Sequence, residues 1–230
     1  MPELDAVLFD VDGTLVDSER HGHRIAFNRA FEDAGLPYRW DEDPYGELLK
    51  ITGGKERLTY YLTGEGMARA EIERVVPALH ERKNEVFLEL VEAGRIPARP
   101  GAPELVDALE ESGVTLAIVT TGSPEWVKPL VDRLYGLERF AVAITAEEAP
   151  NKKPDPSAYH TALERLGLDP GRAVAIEDSR QGLRAAKAAG LRCVVVPNDY
   201  TRHQDLDAAD LLVDGFAALT AEKIKELAAS

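Results

Sequence analysis

Six short apolar runs constrain this chain more than any other feature: Ala6–Phe9, Val114–Val119, Ala141–Ile144, Ala173–Ile176, Cys193–Val196 and Leu211–Val213. Each is too short for a buried helix and lacks an alternating polar face, which is the pattern of a strand covered on both sides in a parallel sheet. Helical patterns fall between the later runs, at Pro103–Ser112, Pro124–Tyr135, Ser157–Leu166 and Gln181–Ala189, the last stopping at Gly190 as a helix C-cap would. The alternation predicts an α/β fold built on a doubly wound parallel sheet.

The rhythm breaks between residues 17 and 95, where no strand-like run occurs and helical patterns lie at Arg24–Ala34, Lys55–Leu62 and Ala70–Glu92. The chain leaves this stretch through "IPARPG", in which Pro97, Pro100 and Gly101 mark a linker. The expected organisation is a core of residues 1–16 and 96–230, with a helical domain of residues 17–95 inserted after the first strand. A length of 230 residues allows that division.

Lys and Arg number 27 against 41 Asp and Glu, a formal charge of −14 with no basic block, which argues against nucleic acid as a partner. An anionic small molecule remains open, because a bound cation and a few placed lysines set the local field whatever the net charge. Cys193 is the single cysteine and cannot form an intrachain disulfide. Asp5, Asp10 and Asp12 interrupt the N-terminal apolar runs, and no apolar stretch reaches membrane-spanning length. A cytoplasmic monomer with no membrane partner is expected.

In an open α/β sheet, ligands bind beyond the carboxyl ends of the strands. Asp10 and Asp12 follow the first strand, Thr120, Thr121 and Gly122 the second, Lys152 and Lys153 the third, and Glu177, Asp178 and Ser179 the fourth. All four groups therefore share one edge. Asp10 and Asp12 are two residues apart, so in an extended chain they lean to one side, and Gly13 permits the turn that follows. Carboxylates brought together repel unless a cation binds, and an all-oxygen set suits Mg²⁺. Taken singly, each acid reads equally as a turn residue or helix cap, and either lysine could be solvated.

With "DVDGT", a hydroxyl in "VTTGS", a lysine in "KKPDPSAY" and acids in "EDSRQGLRAAKAAG", the whole chain resembles the haloacid dehalogenase-like superfamily of phosphatases and phosphomutases, with a Rossmann-like core and a C1-type cap. The segments "WDEDPYGELLKITGGKER" and "GLRCVVVPNDYTRHQDLDAADLLVDGFAAL" are similar to the CbbY group, which dephosphorylates xylulose-1,5-bisphosphate, an inhibitor of Rubisco in the Calvin cycle. The resemblance implies Asp10 as nucleophile forming an aspartyl-phosphate, and Asp12 as general acid and base. It implies Mg²⁺ held by Asp10, the Asp12 carbonyl and Asp178, with Glu177 nearby. It further implies phosphoryl contacts from Thr120, Thr121 and Gly122, and a neutralising lysine at Lys153, which directly precedes Pro154. Ser157 stands where the third motif usually has a second acid.

For a sugar bisphosphate, Thr52, Gly53 and Gly54 open a helix whose free amides favour an anion, with Lys55 and Arg57 adding charge. These two cations read alternatively as solvating an exposed helix face. Glu19, Tyr45 and His23 would flank the sugar hydroxyls, with His21 competing for the last position. The rival expectations are a β-phosphoglucomutase-like mutase, a phosphoglycolate phosphatase and a non-catalytic metal-bound module.

Overall fold

The computed structural model describes residues 4–51, 53–149 and 151–229. The chain forms two compact units, one of residues 1–17 with 97–230 and one of residues 18–96.

In the first unit β1 (Ala6–Phe9), β2 (Thr115–Val119), β3 (Phe140–Ile144), β4 (Ala173–Glu177), β5 (Arg192–Val195) and β6 (Leu211–Leu212) pair in the order β3-β2-β1-β4-β5-β6, every neighbour parallel. The order reverses at β1, so the crevice beyond the carboxyl ends of β1, β2 and β4 is the switch point of the sheet. All four residues of β1 are fully buried, because the sheet is covered on both faces.

Helices numbered along the chain cover those faces: α5 (Ala102–Glu111), α6 (Pro124–Tyr135), α7 (Ser157–Leu166), α8 (Arg180–Ala188) and α9 (Ala221–Ala229). On one side, Leu8, Ala117 and Ala175 of the sheet join a core with Tyr159 and Leu163 of α7 and Leu183 and Ala186 of α8. The apolar positions of α6 (Trp126, Val127, Leu130, Val131) recur at helical spacing and are buried. Helix α9 has no counterpart in the sequence-based reading. Cys193 is a buried free thiol in β5.

The second unit holds a π-helical turn at Glu19–His23, α1 (Arg24–Asp33), α2 (Glu42–Leu48), α3 (Gly54–Gly64) and α4 (Arg69–Glu92). Its core is aromatic. Trp40 packs 4.8 Å from Phe27, 5.0 Å from Phe31 and 5.2 Å from Tyr61, ring centre to ring centre. Among the described residues, no helix is long and apolar enough to cross a membrane.

Candidate active site

The Asp10 N–H donates to the Ile176 carbonyl at 3.0 Å, which carries the parallel pairing past the end of β1 and sets Asp10 beside the end of β4. Beyond it the chain does not stay extended. Thr14 and Val16 N–H groups both donate to the Val11 carbonyl, and Gly13 N–H donates to the Val16 carbonyl, closing a tight loop around Asp12. This corrects the extended geometry expected for Asp10 and Asp12: the loop, and not strand alternation, places Asp12. Gly13 sits at φ +84°, and a Cβ there would lie 2.6 Å from Asp178 Oδ2, so glycine is required for both conformation and space.

Asp10, Glu177 and Asp178 are buried, and one carboxylate oxygen of each lies within 4.8 Å of the other two. Lys153 reaches into this cluster. Its Nζ donates to Asp10 Oδ1 at 2.8 Å, Glu177 Oε1 at 2.6 Å and the Val119 carbonyl at 2.8 Å, which uses all three ammonium protons. The Lys153 side chain is 7% exposed, whereas Lys152 is an exposed residue. The choice between adjacent lysines is thus made by the fold.

The electrostatics are unbalanced. Burial raises the pKa of Asp10, with Lys153 opposing and the Asp12 charge adding to the rise. Burial, opposed by Lys153 and assisted by Asp10, pushes Glu177 up to about 7. Burial, then Asp10 and Glu177, hold Asp178 well above the usual carboxylate range. Burial alone would lower the Lys153 pKa, but Asp10 and Glu177 more than offset it and raise it above the ordinary lysine value. The Lys153 ammonium and the Arg99 guanidinium, which opposes the rise at Asp178, are two positive charges against three buried carboxylates and the nearby Asp12. A further cation fits, and the all-oxygen donor set is the kind that a hard divalent ion takes.

Glu177 is held on two sides. Tyr159 donates its hydroxyl to Glu177 Oε1 at 2.6 Å, and its ring lies 5.1 Å from the Lys153 ammonium. At Gly182 any Cβ would overlap the Glu177 carboxylate, so the first turn of α8 carries glycine there while Ser179 caps the helix, accepting from Gly182 N–H at 3.2 Å. Asp178 Oδ2 accepts from Asn198 Nδ2 at 2.8 Å. Tyr159 and Asn198 escaped the sequence reading. Asn198 follows β5 and was open to the strand-end rule used for the others; Tyr159 stands inside the quoted "KKPDPSAY".

Thr120 is buried at the end of β2, where its N–H donates to the Ile144 carbonyl and its hydroxyl accepts from Gly122 N–H at 3.1 Å. Thr121 and Gly122 are half-buried in the turn leading to α6. A Cβ on Gly122 would lie 2.8 Å from the Val127 side chain and overlap the Trp126 indole.

The remaining candidates belong to the helical unit. Tyr45 donates its hydroxyl to Glu19 Oε2 at 2.5 Å, and Arg57 Nη1 donates to that hydroxyl at 3.3 Å. Arg57 is buried, with Nε on the Leu48 carbonyl at 3.1 Å and Nη2 on the Ile51 carbonyl at 3.4 Å. This corrects its reading as an exposed solvating charge: the guanidinium ties α2 to the segment before α3. Gly53 precedes α3 at φ +97°, Gly54 is the first residue of α3, and Lys55 is exposed. Thr52 lies outside the described residues. His23 stacks on Phe87 with ring centres 4.0 Å apart, and its Nδ1 lies 3.0 Å from Lys83 Nζ. Lys83 is a buried cation that the sequence reading did not single out.

Residues 4–190 match the family model of the haloacid dehalogenase-like hydrolases. The chain belongs to that family. It is a phosphatase. The hydrolase is 43% identical over 219 residues to the protein CbbY of Cereibacter sphaeroides, covering 94% of each chain. To a CBBY-like protein of Arabidopsis thaliana it is 45% identical over 217 residues, covering 91% of this chain and 68% of that protein. A crystal structure of a CbbY mutant from Rhodobacter sphaeroides in complex with xylulose-(1,5)bisphosphate superposes with a TM-score of 0.77 at 42% identity, covering 95% of this chain and 96% of that one.

Proposed function

We propose that this hydrolase is a Mg²⁺-dependent phosphatase that converts xylulose-1,5-bisphosphate to a xylulose monophosphate and phosphate through an aspartyl-phosphate on Asp10. The observation that carries the chemistry is the buried Asp10 carboxylate held by Lys153 at 2.8 Å beside Asp178. The likeness to a CbbY structure that contains this bisphosphate supports the substrate.

Asp10 attacks phosphorus while Asp12 protonates the departing sugar oxygen, so that one P–O bond forms as another breaks. Asp12 then takes a proton from the water that attacks the aspartyl-phosphate, releasing phosphate and restoring Asp10. Lys153 balances charge on Asp10 and on the transferring group. The Thr120 hydroxyl accepts from Gly122 N–H, which leaves its proton to donate to a phosphoryl oxygen, together with the main-chain N–H of Thr121, while Gly122 holds the hydroxyl in place. Asp10, the Asp12 carbonyl and Asp178 would hold Mg²⁺, which when bound supplies positive charge to the phosphoryl oxygens. Glu177, engaged by Lys153 and Tyr159, fixes the lysine.

We assign recognition of the second phosphate to Gly53 and Gly54 at the start of α3, with Thr52, Lys55 and Arg57, and recognition of the sugar to Glu19, Tyr45 and His23. Arg57 also donates to the Tyr45 hydroxyl and to the Leu48 carbonyl of α2.

A panel of xylulose-1,5-bisphosphate, ribulose-1,5-bisphosphate, phosphoglycolate and an aryl phosphate, each with Mg²⁺ or EDTA, tests this. Xylulose-1,5-bisphosphate is expected to have the highest kcat/KM, with free phosphate released stoichiometrically and no activating bisphosphate needed. Lys55→Ala is expected to lose about tenfold on the bisphosphates and far less on the aryl phosphate, since one charge-assisted contact is removed. A preference for phosphoglycolate, or equal losses on all substrates, would reject the distal-phosphate assignment.

A further inference from the structure

Neither Asn198 nor Arg99 is among the residues assigned to the site, yet both hold parts of it. Asn198 Oδ1 accepts from Tyr200 N–H at 2.9 Å, an Asx turn that fixes which end of the amide faces inward. The end that faces inward is Nδ2, and it donates to Asp178 Oδ2 at 2.8 Å and to the Gly13 carbonyl at 3.2 Å. One side-chain amide therefore joins a carboxylate at the end of β4 to the loop after β1.

Arg99 completes the join. Its Nη1 donates to the same Gly13 carbonyl at 2.9 Å and to the Val196 carbonyl at 2.6 Å, and its Nη2 donates to the Pro197 carbonyl at 3.0 Å. The Arg99 backbone is tied in turn to the Leu15 carbonyl at 2.9 Å. Gly13 N–H, which shares a peptide plane with the Asp12 carbonyl, donates to the Val16 carbonyl at 3.0 Å. Both peptide planes flanking Gly13 are thus fixed, and with them the direction of the Asp12 carbonyl.

We infer that Asn198 and Arg99 are positioning residues that pre-orient the Asp178 carboxylate and the Asp12 carbonyl as a pair for a divalent cation. The inference rests on the metal reading given above. Neither residue touches the ion. Asn198 removes freedom from the Asp178 ligand directly, and both residues hold the Gly13 carbonyl next to the Asp12 carbonyl, the role by which outer partners set metal affinity.

The test is Mn²⁺ binding to the metal-free protein, followed by the electron paramagnetic resonance signal of free Mn²⁺, alongside the thermal midpoint in EDTA. Asn198→Ser keeps an acceptor for Tyr200 N–H but is too short to reach Asp178. It is expected to raise the Mn²⁺ Kd by about 10-fold or more with little change in the midpoint. Arg99→Met keeps an unbranched side chain there while removing the donors and the guanidinium that lies over the Phe216 ring, and is expected to weaken binding in the same direction. Wild-type affinity in a folded Asn198→Ser protein would overturn the inference while leaving the metal reading intact, and so would wild-type affinity in Arg99→Met should the serine variant not fold. No Mn²⁺ binding by the wild type would overturn both.

Discussion

Asp10→Asn is expected to fold normally and to release phosphate from xylulose-1,5-bisphosphate at least about 10⁴-fold more slowly than wild type, the scale of loss when a nucleophile is removed. The amide has the shape of the carboxylate and retains an oxygen that can accept from Lys153, so the packing around β1 and β4 is preserved. What it lacks is the charged oxygen that attacks phosphorus. It also removes one of the carboxylates crowded within 4.8 Å, so the thermal midpoint in EDTA should not fall. Calorimetry and a phosphate-release assay on the same preparation check both halves.

Lys153→Ala is expected to damage both stability and rate. Its ammonium is the protein cation bonded to Asp10 and Glu177. Removing one partner of a buried pair leaves uncompensated charge, at a cost of about 3–5 kcal/mol. Part of that cost is relieved when the carboxylates take up protons, which in turn impairs Asp10 as a nucleophile. Urea unfolding at neutral pH measures the first effect, and kcat at saturating Mg²⁺ the second. A variant as stable as wild type would mean that the cluster is already neutral without the lysine.

The same cluster gives metal-free protein an unusual pH dependence. Glu177 titrates at about 7 in the fold against an ordinary 4.5, and burial also raises Asp10 and Asp178. Carboxyls with raised values bind more protons folded than unfolded. Metal-free stability should therefore rise as pH falls from about 8 toward 5, the reverse of the usual behaviour of paired acids. Mg²⁺ should flatten the curve, because it stabilises most where those groups are ionised. Thermal midpoints with EDTA and with Mg²⁺ across this range check the sign.

Where local pattern and tertiary need agreed, the sequence was readable to the residue. Strand β1, α6 and α7 begin and end where expected, α6 because Pro124 opens it and Gly136 closes it. Helix α2 was not legible: Pro44 and Gly46 are poor helix formers, and burial of Tyr45 and Leu48 with Arg57 on the Leu48 carbonyl holds it together. Nor could adjacency decide between Lys152 and Lys153, since only the loop after β3 determines which ammonium enters the cluster. The strand-end rule collected Asp10, Thr120, Glu177 and Asp178 because it depends on topology alone. Arg99 carried no signal at all: its partners are main-chain carbonyls at Gly13, Val196 and Pro197, distant in sequence and silent in composition.

The most direct measurement is acid quenching of the enzyme within its first turnover of xylulose-1,5-bisphosphate and Mg²⁺, followed by mass spectrometry of the peptide containing Asp10. A phosphoryl group on Asp10, lost on chase and missing from Asp10→Asn, is the expected result. Phosphate released at full rate with that peptide unmodified at every time point, or from the Asn variant, would contradict covalent capture by Asp10.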